Sequence, residues 1–558
     1  MRLLTLTGVV FLACCAPALA APLAHPGNAD VAPAAPSPRS LKHLQAYPRT
    51  LVELDRVRGP AAAGTLRKAG GELIAPPLEL WRLPSWTAQR LLPGLMRRGL
   101  VRSVTADVPL GTDPDHAAGF LSDFTATGFV SDFTDPLSSS QWWISHVGAD
   151  RWPAPGPGKP LTMIDSGVDL SHEEFANRPN TIALNTMSYS GNDEELHGTA
   201  TASVAAAPQN GVGIVGIYPQ AKLQLWDASP NAQLTVGDEI DGLFAARRTG
   251  PGVVNLSLGG FDRIPIEEHA IMNVFESGSL VVASAGNDRE GGNSLSYPAS
   301  FPHVLTVGAT DEFDRVTVFS SASPALDLAA PGQDIYAAIP KVFTPSGYAP
   351  VDGTSFSAPL VSGAAAAIWT QRPTLTNTQL FDVMRRSARD LGKRGWDPNT
   401  GYGILDLPAA LARRAPSTDL QEPNEDIYLV KPNGLTKAGH AALTKQNRLQ
   451  ASIVAQLERQ EDPEDIYRVW LPARGHLVIT ARPTVNVTLE VWGRRTKTVF
   501  ERGKAAQRDL IGTSAHAGRR FERVTVHGRG VGQYVYVDVF LAKKVVQGTY
   551  SLSVAPAR

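Results

Sequence analysis

Five short apolar runs recur between residues 161 and 307: Leu161-Thr162-Met163-Ile164, Leu223-Gln224-Leu225-Trp226, Val253-Val254-Asn255-Leu256, Leu280-Val281-Val282-Ala283 and Val304-Leu305-Thr306-Val307. Stretches with helical spacing lie between them, such as 236–248 and 265–278. Runs this short and this apolar read as strands buried on both faces. Strands alternating with helices predict an α/β fold, a mostly parallel sheet covered by helices on both sides, over residues 138–415. Functional side chains in such folds collect at the carboxyl ends of strands. Asp165 directly follows the first run, and Asn287 follows the fourth through Ser284-Ala285-Gly286.

The flanking regions differ. Residues 46–109 predict a small α/β unit: a strand at Leu51–Asp55, a helix from Pro60 to Ala69 closed by Gly70-Gly71, strands near 72–75 and 78–83, and a strand from Val101 to Val108. A helix begins at Ser85, read as its cap, and ends at Gly99. Residues 21–45 form an Ala/Pro-rich linker, and 110–137, rich in Gly, Asp, Ser and Thr, read as an exposed, cleavable one. Residues 418–558 switch to period-two alternation. Val485, Val487, Leu489 and Val491 alternate with polar or bulky neighbours, as do Val535, Val537 and Val539, and Tyr550, Leu552 and Val554. This predicts an all-β, antiparallel sandwich.

Three structured units suit 558 residues, since domains run to ~100–200 residues each. The net charge of −1 offers no basic face for nucleic acid. Met1-Arg2, the apolar stretch Leu3 to Ala13 and Ala18-Leu19-Ala20 describe a signal peptide over residues 1–20, cleaved after Ala20. It removes Cys14 and Cys15, the chain's two cysteines, and leaves an exported protein with no disulfide. Lipid attachment at Cys14 or Cys15 is the alternative. No other run approaches the ~20 apolar residues of a membrane span.

The chemistry is carried by Gly353-Thr354-Ser355-Phe356-Ser357-Ala358-Pro359, which opens an Ala-rich apolar run to Trp369 that reads as a buried helix. A Ser at a helix start faces free backbone N–H groups and the positive dipole end, where an oxyanion is stabilised. It also suits a plain N-cap. Asp165 lies in Met163-Ile164-Asp165-Ser166-Gly167, His197 in Glu195-Leu196-His197-Gly198-Thr199, and Asn287 in Ala283-Ser284-Ala285-Gly286-Asn287-Asp288. The order Asp, His, Asn, Ser runs with gaps of 32, 90 and 68 residues.

These four strings, in this order, resemble the subtilisin-like serine proteases, the subtilase family, over about 138–415. The resemblance implies a secreted serine endopeptidase with a catalytic Asp165, His197 and Ser355, and Asn287 donating to the oxyanion. It implies substrate binding as an added strand against Ser257-Leu258-Gly259, with Ala285-Gly286 lining the specificity pocket. It assigns 46–109 to an inhibitory, self-cleaved propeptide. It also implies protein or peptide substrates and a monomer. Chemistry needs no cofactor, but a structural Ca²⁺ would use Gln141, Glu174 and Asn210, with carbonyls near Pro208, Val212 and Ile214. The family pattern continues His-Gly-Thr with His-Val-Ala-Gly, where this chain has Ala200-Thr201-Ala202-Ser203. Asp288 and Glu290 are read as solvated loop charges over a preference for a basic P1 residue, and an apolar P1 is the default. The strings Glu422-Pro423-Asn424-Glu425-Asp426, Glu464-Asp465-Ile466-Tyr467 and Gly548-Thr549-Tyr550-Ser551-Leu552 resemble the pre-peptidase C-terminal domains of secreted bacterial proteases. Two other readings stand beside this one: a non-catalytic secreted binding protein on the same scaffold, and a processing protease with few targets.

Overall fold

The computed structural model describes residues 41, 44–112, 134–187, 195–230, 233–417, 421–459, 461–500, 508–528 and 530–557. The expected signal peptide with Cys14 and Cys15, nearly all of the 21–45 linker, and most of the 110–137 linker lie outside the described residues.

The N-terminal unit runs β1 (Arg49–Leu54), α1 (Pro60–Lys68), β2 (Glu72–Ala75), β3 (Leu80–Pro84), α2 (Ser85–Arg97) and β4 (Val101–Ala106). Its antiparallel sheet has the order β2-β3-β1-β4. One sheet face packs on both helices around Trp81, Leu66 and Leu92. Pro60 opens α1, where a missing N–H and a fixed φ cost nothing. Ser85 is not the cap expected from the sequence. Strand β3 runs into α2 without a connecting residue, so Pro84 takes the cap position. Ser85 falls in the first turn, its Oγ 2.7 Å from the buried Thr50 Oγ1.

The central unit holds a seven-stranded sheet in the order β11-β10-β9-β8-β5-β7-β6, every pair parallel. Its elements are β5 (Pro160–Asp165), β6 (Thr181–Ala183), α3 (Glu195–Ala206), β7 (Lys222–Asp227), α4 (Val236–Thr249), β8 (Val253–Leu256), α5 (Pro265–Glu276), β9 (Leu280–Ser284), β10 (Val304–Thr310) and β11 (Leu328–Pro331). A hairpin, β12 (Ile335–Ala338) and β13 (Tyr348–Val351), leads into α6 (Thr354–Gln371), followed by α7 (Asn377–Ser387). Strand side chains alternate between two cores. Leu161, Met163, Val253, Leu280 and Val282 face α3 and α6, whereas Ile164, Val254, Leu256, Val281 and Ala283 face α4 and α5.

The N-terminal sheet lies on α4 and α5: Leu51, Ile74, Leu78 and Leu80 share one cluster with Ile240, Leu243, Phe244 and Ile271. Asp107 Oδ1 accepts the Gly237 N–H at 2.8 Å, a carboxylate at the positive end of α4. The Arg82 guanidinium meets Asp238 Oδ1 at 2.5 Å.

The C-terminal unit is a sandwich of two antiparallel four-stranded sheets, β14-β21-β16-β19 and β15-β20-β17-β18. Its strands are β14 (Ala451–Glu458), β15 (Glu464–Leu471), β16 (His476–Pro483), β17 (Val487–Trp492), β18 (Leu510–Ser514), β19 (Glu522–His527), β20 (Gln533–Leu541) and β21 (Gln547–Pro556). Val487, Leu489, Val491, Val535, Val537, Val539, Tyr550, Leu552 and Val554 all point into the space between the sheets. Among the described residues, buried contacts tie this unit and the segment leading into it to the rest, at two junctions above all. Arg385 of α7 binds Glu458 through two hydrogen bonds, at 3.1 and 2.6 Å, and Arg386 and Tyr402 add one each at 2.6 Å. At the second junction Arg102 lies 4.0 Å over the Tyr428 ring, and the Arg56 guanidinium donates to Leu435 O. Glu53 there is fully buried, with Arg102 at 3.1 Å, Ser103 Oγ at 3.0 Å and His269 Nδ1 at 3.4 Å.

Candidate active site

The sheet delivers Asp165 at the carboxyl end of β5, while His197 is the third residue of α3 and Ser355 the second of α6. The N-cap of α6 is Gly353, not Ser355. Gly353 has φ +147°, a conformation open to glycine and strained for other residues. This puts Ser355 inside the first turn, with its own N–H among the groups free at the helix end.

His197 Nδ1 lies 2.8 Å from Asp165 Oδ1. A carboxylate accepts only, so the imidazole donates from Nδ1, and in the neutral ring Nε2 keeps its lone pair. Asp165 Oδ1 also accepts the Ser166 N–H at 2.7 Å, and Oδ2 accepts from Thr201 Oγ1 at 2.9 Å. His197 Nε2 is buried with no partner among the described residues. The ring of Phe356, next to Ser355, lies 5.8 Å from the imidazole, so the His197 ring faces the start of α6. Ser355 Oγ points toward Ser257 O at 3.5 Å. All four side chains are nearly enclosed: Asp165 is 1% exposed, His197 and Ser355 5%, and Asn287 8%.

Asn287 is oriented from behind. Its Oδ1 accepts both the Thr354 N–H at 2.9 Å and the Thr354 hydroxyl at 3.0 Å. The amide Nδ2 is therefore the donor turned the other way, 3.4 Å from where a Cβ on Gly353 would stand. Ser257 Oγ donates to Ser355 O at 2.8 Å and accepts from Asn255 Nδ2 at 3.0 Å, and Ser362 donates to Asn255 Oδ1 at 2.9 Å. This chain of bonds fixes β8 against α6. Leu258 is buried, Ala285 N–H bonds Val307 O at 2.9 Å, and Gly286 N–H bonds Thr354 Oγ1 at 3.2 Å.

The chain's own residues 108–111 run beside Gly259. The Gly111 N–H donates to Gly259 O at 2.9 Å and the Gly259 N–H returns to Gly111 O at 3.0 Å, an antiparallel pair. On the other side Leu110 N–H bonds Leu234 O at 2.9 Å, and Val236 N–H bonds Val108 O at 3.0 Å. The first residues of the 110–137 linker are thus hydrogen-bonded to the central unit, with Leu110 half-buried and Gly111 exposed. A Cβ on Gly259 would stand 2.6 Å from Ser296 Oγ and 2.8 Å from Tyr297 O, so only glycine lets the groove wall sit this close.

The subtilase family model matches residues 156–403. Subtilisin from Bacillus pumilus is 32% identical over 260 residues, covering 46% of this chain and 91% of that protein. This chain belongs to the subtilase family. Subtilisin amylosacchariticus from Bacillus subtilis subsp. amylosacchariticus is also 32% identical over 260 residues, and the chain spans 66% of its length, just under two thirds. Fervidolysin from Fervidobacterium pennivorans, a keratinolytic enzyme related to subtilisin, shares the fold with a TM-score of 0.56 at 18% identity, over 90% of this chain and 92% of fervidolysin.

In this subtilase Gln141, Glu174 and Asn210 all meet the 208–215 loop. Gln141 Oε1 accepts the Val215 N–H at 2.9 Å and its Nε2 donates to Val215 O at 2.8 Å. Asn210 Oδ1 accepts the Val212 N–H at 2.9 Å. Glu174 Oε1 accepts from Ile214 N–H and the Tyr348 hydroxyl, and Oε2 is buried without a partner among the described residues. Burial pushes the Glu174 carboxyl up to about 7. An amide oxygen that accepts one N–H keeps a second lone pair, and Glu174 Oε2 has no partner among the described residues, so this oxygen-only set is compatible with a divalent cation. Asp135, unmarked by any motif, caps the same loop through Asn210 N–H and Gly211 N–H. Asp288 takes the Ser294 N–H within its own turn and Glu290 is exposed, an arrangement that spends neither charge on the groove.

Sequence reasoning missed Thr354 and Thr201. Both had a local signal: Thr354 precedes the serine, and Thr201 stands four residues after His197, one helical turn away.

Proposed function

We propose that this subtilase is a serine endopeptidase made as a self-processing zymogen, with Asp165, His197 and Ser355 as its triad. Ser355 Oγ attacks the scissile carbonyl carbon and its proton passes to His197 Nε2. Asp165 holds the imidazole tautomer and stabilises the imidazolium. The oxyanion is received by Asn287 Nδ2 and the Ser355 N–H. The C–N bond then breaks, and His197 returns the proton to the leaving amine. Water, activated by His197, hydrolyses the acyl-enzyme and restores Ser355.

The observation that supports this reading above all is the pairing of residues 108–111 with the central unit, Gly111 against Gly259 and Val108 and Leu110 against Val236 and Leu234. An N-terminal unit docked on α4 and α5, with its trailing segment laid along the groove, has the form of an inhibitor that occupies the substrate path. Cleavage within about 110–137 would leave it in place as a dissociable inhibitor. Export after removal of residues 1–20 is part of the same proposal, and no helix among the described residues is long and apolar enough to cross a membrane.

The test is to express the chain from Ala21 as wild type and as Ser355→Ala and to follow intact mass over time. The expected result is that only the wild type loses a fragment ending near 110–137. If both stay full length with calcium at mildly alkaline pH, and neither labels with a serine-reactive phosphonate, the binding-protein reading replaces this one.

A further inference from the structure

Thr201 sits in the second turn of α3 and is fully buried. Its hydroxyl has two acceptors in reach, Asp165 Oδ2 at 2.9 Å and Gly198 O at 3.2 Å. One hydroxyl proton serves one acceptor at a time. The bond to an ionised carboxylate is charge-assisted and about twice as strong as a neutral one, and here it is also the shorter. Ser203 in the same helix shows the other outcome, donating to Ala200 O at 2.7 Å in the usual back-bonded way.

The three donors to Asp165 divide between its oxygens. Oδ1 takes Ser166 N–H and His197 Nδ1, and Oδ2 takes Thr201. With both ends held, the carboxylate plane is set, and so is the direction in which Oδ1 meets the imidazole. Asp165 is 1% exposed, so water cannot supply the Oδ2 bond if the hydroxyl is removed. Residues 197 and 201 are one turn apart on α3, so one rigid helix carries both the imidazole and the group that steadies its partner. The subtilase pattern has Val at this place, which offers no donor.

We propose that Thr201 is a positioning residue of the catalytic set, its hydroxyl holding Asp165 Oδ2 so that Oδ1 presents to His197 Nδ1. It touches no substrate and acts through Asp165. This rests on the triad assignment above.

The test compares full-length wild type, Thr201→Val, which keeps the shape and loses the hydroxyl, and Thr201→Ser, which keeps the hydroxyl. After self-processing, kcat and KM are measured on a chromogenic peptide from pH 5 to 10. Thr201→Val is expected to lower kcat about tenfold, the worth of one buried hydrogen bond, with KM within about twofold. Thr201→Ser is expected to stay within about threefold of wild type. Losing a donor makes Asp165 more basic and stabilises the imidazolium. The acidic limb of kcat/KM should therefore move up by about half a unit to one unit in Thr201→Val alone. A second readout needs no activity: the His197 titration, followed by NMR in the Ser355→Ala background with and without Thr201→Val, should show the same upward shift. If wild type is inactive and unlabelled by a phosphonate, the triad assignment fails, and the titration still decides the Thr201–Asp165 bond. Should Thr201→Val not fold, Thr201→Cys, a weak donor of similar size, takes its place. Wild-type kcat and an unmoved acidic limb in Thr201→Val, or an equal loss in Thr201→Ser, would overturn the proposal.

Discussion

Glu53 stands where the N-terminal unit, α5 and the segment leading into the sandwich meet. Burial alone would push its carboxyl up, but Arg102 and His269 outweigh that and hold it down at about 2, against an ordinary 4.5. That drop corresponds to about 3 kcal/mol in favour of the ionised form in the folded full-length chain. The folded value lies below the unfolded one. The contribution is therefore fully present above about pH 4.5 and is lost as pH falls through about 2. Glu53→Gln keeps the volume, removes the charge and leaves Arg102 facing Tyr428 without its carboxylate. The expected loss is about 3 kcal/mol at pH 7, the low end for breaking a buried ion pair. The assay is urea unfolding of the full-length Ser355→Ala chain with and without Glu53→Gln, a background that lacks the proposed nucleophile. With m of about 1–3 kcal/mol/M, the first transition should move down by about 1–3 M at pH 7. The gap should close as pH approaches 2. Equal midpoints at pH 7, or a gap that persists undiminished at pH 2, would refute the ionic role of Glu53.

Three further outcomes are expected. Asn287→Ala should lower kcat by ~10²–10³ with a much smaller change in KM, measured on the self-processed enzyme. Arg385→Ala strips Glu458, 2% exposed, of its two-bond partner, and at about 3–5 kcal/mol should loosen the sandwich from the central unit. Limited proteolysis at the junction and small-angle scattering read that change. Glu239 on α4 and Glu267 on α5 are buried beside each other. Burial raises Glu239 to about 8, and burial with the Glu239 charge raises Glu267 well above the usual range. Their folded values lie above the unfolded one, so stability is full below about pH 4.5 and declines as pH rises through about 8, by up to about 1.4 kcal/mol per unit for each proton released. Glu239→Gln should flatten that slope in thermal melts of the full-length Ser355→Ala chain between pH 5 and 8.

The strands of the central sheet were legible to within a few residues because they are buried on both faces, and that burial writes an apolar run into adjacent positions. The sandwich strands were legible for the opposite reason, one face in and one face out. Helix caps were less legible. Ser85 and Ser355 both look like caps in isolation, but Pro84 and Gly353 hold those places, set by how β3 and the loop after β13 enter the helices. The candidate calcium residues all meet the 208–215 loop, and what their oxygens bond to depends on the path of that loop, which no local string encodes.

The order Asp165, His197, Asn287, Ser355 and the residue types it carries belong to the sequence alone, since nucleophile, base and donor are properties of side chains. So does the sheet, because burial and period are local patterns. Tertiary structure alone decided which acceptor Thr201 serves, that Thr354 turns the Asn287 amide, that residues 108–111 lie against Gly259, and that Glu53, Arg102 and Tyr428 share one buried site. Each of these depends on groups tens to hundreds of residues apart arriving within about 3–4 Å, where hydrogen bonds and desolvated charges act. Such distances are set by packing, and a pattern along the chain carries no record of them.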